Sequence, residues 1–290
     1  MIEYEDSQSK ATILMEALPY VRRFRGSVFV VKYGGSFMDS PDTAVRSRVA
    51  QDLVFLHFVG IKVVVVHGGG KAVTKELQDR GLEANFINGL RVTDFHTIEV
   101  VDEVLNGKVN AEVAEFVSSY DCEVKRLPGK DIISCQKLEQ EPDLGFVGAI
   151  NKVDTAPIQE ALENGLMPII SSTASDESGQ CFNVNADTVA AEVAISLGAR
   201  RLVYLSDVPG LLSNPEDSNS LLSSLPVDQV DSLKNEGVIA KGMLPKVNSA
   251  VDALKSGVNR VHLIDGRLPH SILLEIFTDE GIGTEIVHAN

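Results

Sequence analysis

The chain has 290 residues, 44% of them hydrophobic and 23% charged, and a formal net charge of -15. That length can bury a sizeable core as one large α/β unit or two lobes, and the composition is that of an ordinary soluble protein. The acidic balance argues against nucleic acid and anionic membrane as partners, because both need a basic face, although a few placed cations still suffice for a small anionic substrate.

Cys122, Cys135 and Cys181 show neither metal-ligand nor disulfide spacing, which points to a reducing, cytoplasmic setting. The N-terminal stretch is acidic and polar rather than basic and then apolar, so no signal peptide is expected. Apolar runs fall short of the roughly 20 residues of a membrane span.

Residues 1–9 read as frayed. From 11 to 25, Ile13, Leu14, Ala17, Leu18 and Val21 recur at helical spacing, and Pro19 should kink the amphipathic helix they define. It either caps the sheet or reaches another subunit. Two β-branched runs, 29–31 and 63–66, then empty into Lys32-Tyr33-Gly34-Gly35 and His67-Gly68-Gly69-Gly70. Continuous apolar runs read as buried parallel strands, and ligands of open α/β sheets collect at their carboxyl ends. Glycines there let backbone N–H groups approach an anion.

Between these runs, Ser40-Pro41 reads as a helix start and Gly60 as its stop, and a helix over 71–80 ends at Gly81. Asn88-Gly89 signals a hairpin turn, and Thr93 or Asp94 can cap the next helix. Gly107 makes that helix either one long bent rod or two. Strands over 122–127 and 132–138 flank a Pro128-Gly129 turn, a helix covers 154–163 and a strand 167–171. The polar stretch 173–179 is the best boundary between lobes. Beyond it come helix 187–197, strand 201–205, a polar segment 213–224, helices 228–236 and 246–256, strand 260–264, helix 269–277 and strand 284–288. Alternating strands and helices with short links predict a mainly parallel sheet sandwiched between helices.

Lys32, beside the first glycine pair, reads either as a lysine at a strand end or as a phosphate-facing cation. Neither a Gly-x-x-x-x-Gly-Lys-Ser/Thr loop nor a Gly-x-Gly-x-x-Gly fingerprint follows the early strands, which removes ordinary P-loop enzymes and lowers the dehydrogenase reading. Arg91 precedes a helix start, where a guanidinium can grip a carboxylate. In Asn183-Val184-Asn185-Ala186-Asp187, alternation puts Asn183 and Asn185 on one side, while Asp187 either caps its helix or holds cations in register. Lys246 lies at a helix start, against the dipole, which suggests that an anion offsets it. Lys241 is a weaker candidate for the same field. His67 reads as structural rather than as a base, and Asp207-Val208-Pro209-Gly210 as a loop at the sheet's carboxyl edge.

With these segments in place the chain resembles the amino acid kinase family, in its branch that phosphorylates N-acetyl-L-glutamate. The resemblance spans about Ile13 to Val287. It rests on Val31-Lys32-Tyr33-Gly34-Gly35, His67-Gly68-Gly69-Gly70, Gly89-Leu90-Arg91-Val92-Thr93-Asp94, Asn183-Val184-Asn185-Ala186-Asp187 and Gly242-Met243-Leu244-Pro245-Lys246 in that order. It implies transfer of a phosphoryl group from ATP, with Mg2+ carried on the nucleotide, to the substrate's γ-carboxylate, the second step of arginine biosynthesis.

By the same resemblance, Lys32 and Lys246 stabilise the moving group and Asp187 orients them. Gly34, Gly35, Gly68, Gly69 and Gly70 offer N–H groups, Arg91 grips the α-carboxylate, and Asn183 and Asn185 border the substrate. Asp207, Leu211, Gly242 and Met243 fall on the nucleotide side. The N-terminal segment resembles the kinked helix of arginine-inhibited members, which interlaces three dimers into a hexamer. Tyr20, His270, Glu275, Gly281 and Gly283 match the region that receives arginine.

The resemblance divides the chain into a regulatory helix (1–26), an amino-acid-substrate lobe (27–173) and a nucleotide lobe (174–290). It admits a PII signalling partner if the source is photosynthetic, although no residue argues for one. Lys71-Ala72 departs from the family's usual proline and acidic or amide pair, which leaves a kinase for another N-acylated amino acid, aminoadipate-like, as the alternative. A non-catalytic arginine-sensing subunit is a further one.

Overall fold

A computed structural model describes residues 2–34, 43–214, 216–217, 219–240 and 242–289. Gly35, Ser40-Pro41 and Lys241 lie outside the described residues.

Helix α1 (Ile2–Phe24) continues through Pro19 and starts well before the expected position, so residues 2–9 are helical rather than frayed. Its apolar residues Ile13, Leu14, Met15 and Leu18 stay exposed, while Phe24 is buried. Strand β1 (Val28–Tyr33), α2 (Thr43–Phe58), β2 (Lys62–His67) and α3 (Gly70–Asp79) follow as the patterns predict. A two-residue hairpin joins β3 (Phe86–Ile87) to β4 (Leu90–Arg91), with Asn88 at φ 51 and Gly89 at φ 83, the left-handed pair that this tight turn needs.

Asp94 caps α4 (Phe95–Val101), its carboxylate accepting from the Thr97 amide at 2.8 Å. Gly107 does not break the rod. The chain passes through a π-helical segment (Asp102–Val109) directly into α5 (Asn110–Ser118). Strand β5 (Val124–Leu127) is followed by a single helical turn, α6 (Gly129–Ile132), where sequence suggests a plain turn. Next come β6 (Ile133–Lys137), β7 (Gly148–Val153), α7 (Ala156–Glu163) and β8 (Met167–Ser171). The stretch 173–179 opens with β9 (Thr173–Ser175), which pairs with β10 (Cys181–Asn183).

Helix α8 (Ala186–Ser196) then leads to β11 (Arg201–Ser206). The polar segment is tied by a bridge between Leu212 and Leu221 before β12 (Ser224–Pro226). The rest comprises a 3-10 turn (Val227–Gln229), α9 (Val230–Asn235), α10 (Met243–Lys255), β13 (Arg260–Asp265), α11 (Ser271–Ile276) and β14 (Thr284–Val287).

Eight strands form the central sheet in the order β12-β14-β13-β11-β1-β2-β8-β5, parallel except for the β13–β14 pair. Strands β10-β9-β6-β7 make a second, four-stranded sheet that sequence patterning did not reveal. Alternation along the central strands sorts the core. Val30, Val64, Ile170, Leu202 and Tyr204 pack under α8 and α10, and Phe29, Val31, Val63, Val65 and Val203 face α2, α5 and α11. The chain leaves β1 toward β2 on one side and returns to β11 on the other. The carboxyl end of β1 is therefore a topological switch point, where such sheets hold ligands.

Candidate active site

Register places the parts. Lys32 pairs across with Val66 and Tyr204, and Tyr33 with His67, so Gly34 and Gly68 leave the sheet side by side. The Gly68 amide donates to the Tyr33 carbonyl at 3.3 Å. Lys32 shares a face with Val30, the face on which α8 packs. Its Nζ lies 2.9 Å from Asp187 Oδ1, and the Lys246 Nζ reaches Asp187 Oδ2 at 2.7 Å.

Lys32 and Asp187 are both buried. Burial pushes the Lys32 ammonium down, with the Asp187 carboxylate opposing and Lys246 adding to the fall. Burial also acts to raise Asp187, but the two lysines more than offset it and hold the carboxyl below its ordinary range. Lys246, on the first turn of α10, therefore meets the offsetting anion inside the protein; the conflict with the helix dipole does not require a bound one.

Asn185, not Asp187, caps α8. Its Oδ1 accepts from the amides of Asp187 at 2.8 Å and Thr188 at 3.3 Å, which fixes the turn that aims the aspartate. Asn183 donates to Thr93 Oγ1 at 3.3 Å, tying β10 to the start of α4. Sequence reasoning missed Tyr204, whose buried hydroxyl donates to the Asp187 carbonyl at 3.2 Å and contacts Ser249 Oγ at 2.8 Å. Ser249 in turn bonds the Lys246 carbonyl at 2.9 Å, so one phenol braces both helices.

A cleft of about 150 Å³ opens between the glycine turn and the start of α8, lined among others by Gly68, Gly69, Gly70, Arg91, Asn183 and Asn185. Arg91 is 6% exposed and stacks on Phe86 at 4.6 Å. Its Nη2 donates to the Gly70 carbonyl at 2.7 Å and to Thr74 Oγ1 at 2.8 Å, while Nη1 is buried with no hydrogen-bond partner among the described residues. Arg91 lines the cleft, a buried N–H without a partner asks for an acceptor, and a carboxylate oxygen is a natural one. A Cβ on Gly69 would lie 2.6 Å from Leu105 Cδ2 of the π-helical segment, so a side chain there would require Leu105 to shift. Lys71 is exposed in the first turn of α3 and does not line the cleft.

His67 is fully buried, with Nδ1 against the Gly68 carbonyl at 2.8 Å and Nε2 against Asn110 at 3.0 Å. Burial pushes its pKa down to about 4, so the ring is neutral and braces the glycine turn, as expected. Asn110 also meets the Ile169 carbonyl at 3.0 Å and Arg126 Nε at 2.8 Å. The signal for this brace was an asparagine at a core position of an apolar helical stripe. Asp207 is exposed at the end of β11, at the same carboxyl edge, and its charge reaches Lys32. Gly242 and Met243 open α10. Leu211 does not face the cleft; its side chain is 2% exposed in the core.

Residues 27–265 match the amino acid kinase family. The chain belongs to that family. An acetylglutamate kinase of Syntrophomonas wolfei is 46% identical over 97% of this chain and 98% of its own length. One of Carboxydothermus hydrogenoformans is 46% identical over 95% and 97%. Among solved structures, N-acetylglutamate synthase from Neisseria gonorrhoeae, complexed with coenzyme A and N-acetyl-glutamate, superposes with a TM-score of 0.85 at 27% identity. That alignment covers 97% of this chain but 64% of the synthase.

A second cavity of about 260 Å³ in this amino acid kinase lies where α1 meets the C-terminal region, lined by Tyr20, Glu275 and Gly281 among others. The Tyr20 hydroxyl bonds Asp279. Glu275 accepts from His262 Nδ1 at 2.7 Å, from the Ile282 amide at 2.8 Å and from the Gly283 amide at 3.0 Å. His270 does not line this cavity. It sits at φ 54 just before α11 and pairs with Asp52 of α2 at 2.6 Å. No helix among the described residues is long and apolar enough to cross a membrane.

Proposed function

We propose that this protein transfers the γ-phosphoryl group of MgATP to the γ-carboxylate of N-acetyl-L-glutamate, giving the acyl phosphate and ADP. The observation that carries this reading is the buried Asp187 carboxylate gripping Lys32 and Lys246 at 2.9 and 2.7 Å beside two glycine turns. The relatives named acetylglutamate kinase support the choice of substrate.

A carboxylate oxygen attacks the γ-phosphorus, the bond to the β-phosphate oxygen breaks, and its electron pair leaves on ADP. No general base is needed, because the attacking carboxylate is already ionised at neutral pH. The barrier is the meeting of two anions, and it is lowered by positioning and by charge that is in place beforehand. Lys32 and Lys246 supply that charge, and Asp187 keeps both ammonium groups aimed. The amides of Gly34, Gly35, Gly68, Gly69 and Gly70 meet phosphoryl and carboxylate oxygens. The Arg91 guanidinium takes the α-carboxylate, and Asn183 borders the acyl group. Asn185 acts through the helix it caps.

On the nucleotide side stand Asp207, Gly242 and Met243, with Leu211 contributing backbone only. Magnesium enters with the nucleotide phosphates as part of the substrate. Residues 1–26, 27–173 and 174–290 then serve as regulatory helix, amino-acid-substrate lobe and nucleotide lobe. The exposed apolar residues of α1 fit a hexamer built as a trimer of dimers, and the cavity beside Tyr20, Glu275 and Gly281 fits feedback inhibition by arginine, with Gly283 fixing Glu275 and His270 holding α11. A PII protein would bind only in a photosynthetic source, and the setting is the cytoplasm. Hydroxamate trapping of the acyl phosphate from MgATP and N-acetyl-L-glutamate, with and without arginine, tests the reading. Turnover is expected, and ATP binding without turnover would move the substrate to another acylated amino acid.

A further inference from the structure

The in-register neighbour of Lys32 on β11 is a tyrosine, in a strand otherwise buried and largely aliphatic. Neighbours on parallel strands share a face of the sheet, so the Tyr204 side chain stands beside Lys32 under α8 and α10. It is fully buried. An apolar residue would fill that space with no polar group to satisfy, whereas a buried hydroxyl must find partners.

The partners it finds belong to the two residues that surround Lys32. The Tyr204 hydroxyl lies 3.2 Å from the Asp187 carbonyl and 2.8 Å from Ser249 Oγ, which itself donates to the Lys246 carbonyl at 2.9 Å. Two hydroxyl protons serve three contacts, so the phenol's proton is shared and each hydroxyl depends on the other. Asp187 and Lys246 both sit in the first turn of their helices. Each carbonyl oxygen has a second lone pair beyond its helical bond, so the hydroxyls tie α8 to α10 without loosening either. Serine is a weaker helix former than alanine, yet Ser249 is buried inside α10. Phenylalanine and alanine at these two positions would occupy nearly the same volume, and removing both members of a buried polar pair is nearly neutral for stability. Stability alone does not call for the pair.

We propose that Tyr204 and Ser249 are positioning residues for phosphoryl transfer, fixing the backbone of Asp187 and Lys246 so that the carboxylate stays seated between the two ammonium groups. The proposal rests on the phosphoryl-transfer reading given above.

Lys32 depends on that seat. Burial pushes its ammonium down, Asp187 from α8 opposes the fall, Lys246 from α10 adds to it, and Asp207 after β11 opposes it weakly. On β2 the facing residue is the uncharged Val66. A carboxylate that drifts opposes less, so Lys32 would lose its proton at lower pH. Burial holds the Tyr204 phenol well above its ordinary range, so it remains a donor throughout.

The test compares the full-length parent with Tyr204→Phe, Ser249→Ala and the double variant. With MgATP and N-acetyl-L-glutamate, each single change should lower kcat about tenfold, with KM for either substrate within about twofold, and move the alkaline limb of kcat to lower pH. The double variant should be as stable as the parent in urea yet no more active than either single one, because the hydroxyls act as a unit. NMR titration of isotope-labelled lysine side chains, with Lys32→Met identifying the resonance, follows Lys32 without any substrate, and its titration should move to lower pH in Tyr204→Phe. A Lys32 titration that stays in place, or a double variant with the parent's kcat, overturns the proposal. Absence of turnover in the parent itself would instead count against the phosphoryl-transfer reading, and the titration then decides the brace alone.

Discussion

Lys32 and Lys246 end on the two oxygens of a single carboxylate, one at 2.9 Å and the other at 2.7 Å from Asp187. Two ammonium groups cannot be held this close in a buried place without an anion between them. The carboxylate both cancels part of their repulsion and sets their direction, leaving net positive charge at the carboxyl edge of β1.

Asp187→Asn should therefore lower kcat by about a hundredfold or more, with a smaller change in KM for the acylated amino acid. Steady-state kinetics decide this, and an equal loss in substrate binding would contradict a role confined to the transition state. The variant also leaves Lys32 buried without its counter-ion, so a loss of about 3 kcal/mol or more in denaturant unfolding is expected.

Arg91→Lys keeps the charge but loses the planar fork and its stacking on Phe86. KM for the carboxylate substrate should rise about tenfold or more while kcat changes little. An unchanged KM would remove the α-carboxylate from Arg91.

Asn185→Ala removes the acceptor for the Asp187 and Thr188 amides. Loss of such a cap costs about 1 kcal/mol. Turnover should fall by more than that stability change explains, because the turn that aims Asp187 loosens; kinetics measured well below the melting temperature separate the two effects.

His67 is held neutral in the fold, at a pKa of about 4 against an ordinary 6.5. The unfolded chain thus binds more protons between these values, and stability rises with pH across that window. On acidification the contribution, roughly 3 kcal/mol, is lost progressively from about pH 6.5 down to pH 4. Urea unfolding as a function of pH should show this slope in the parent protein, and a flatter one in His67→Gln.

The sequence alone was enough for features written in short windows. The β-branched runs, the glycine turn after the second of them, the Asn88-Gly89 hairpin and most helix limits each depend on a handful of neighbouring residues, and the structure returns them nearly in place. Lys32, Asp187, Lys246 and Arg91 could be singled out because each breaks a local pattern: a charge at a strand end, a cation at a helix start, an arginine before a cap. What they break it for was not legible there. Lys246 reads locally as a cation in want of a bound anion, and only packing of α8 against α10 brings in Asp187 from 59 positions away.

The same holds for Asn185, whose capping role depends on where α8 begins, and for His270, which turns from the Tyr20 cavity toward Asp52. The four-stranded sheet escaped notice because its strands are short and half polar, with a bulge between Ser134 and Cys135 that shifts the alternation. The π-helical passage through Gly107 escaped notice for a similar reason. It is enforced by long-range contacts, including the Asn106 amide oxygen accepting from Thr173 at 2.8 Å, rather than by local propensity. Periodicity determines which face of an element is apolar; only the tertiary fold decides which distant charges that face brings together, because that depends on interlocking contacts no local window contains.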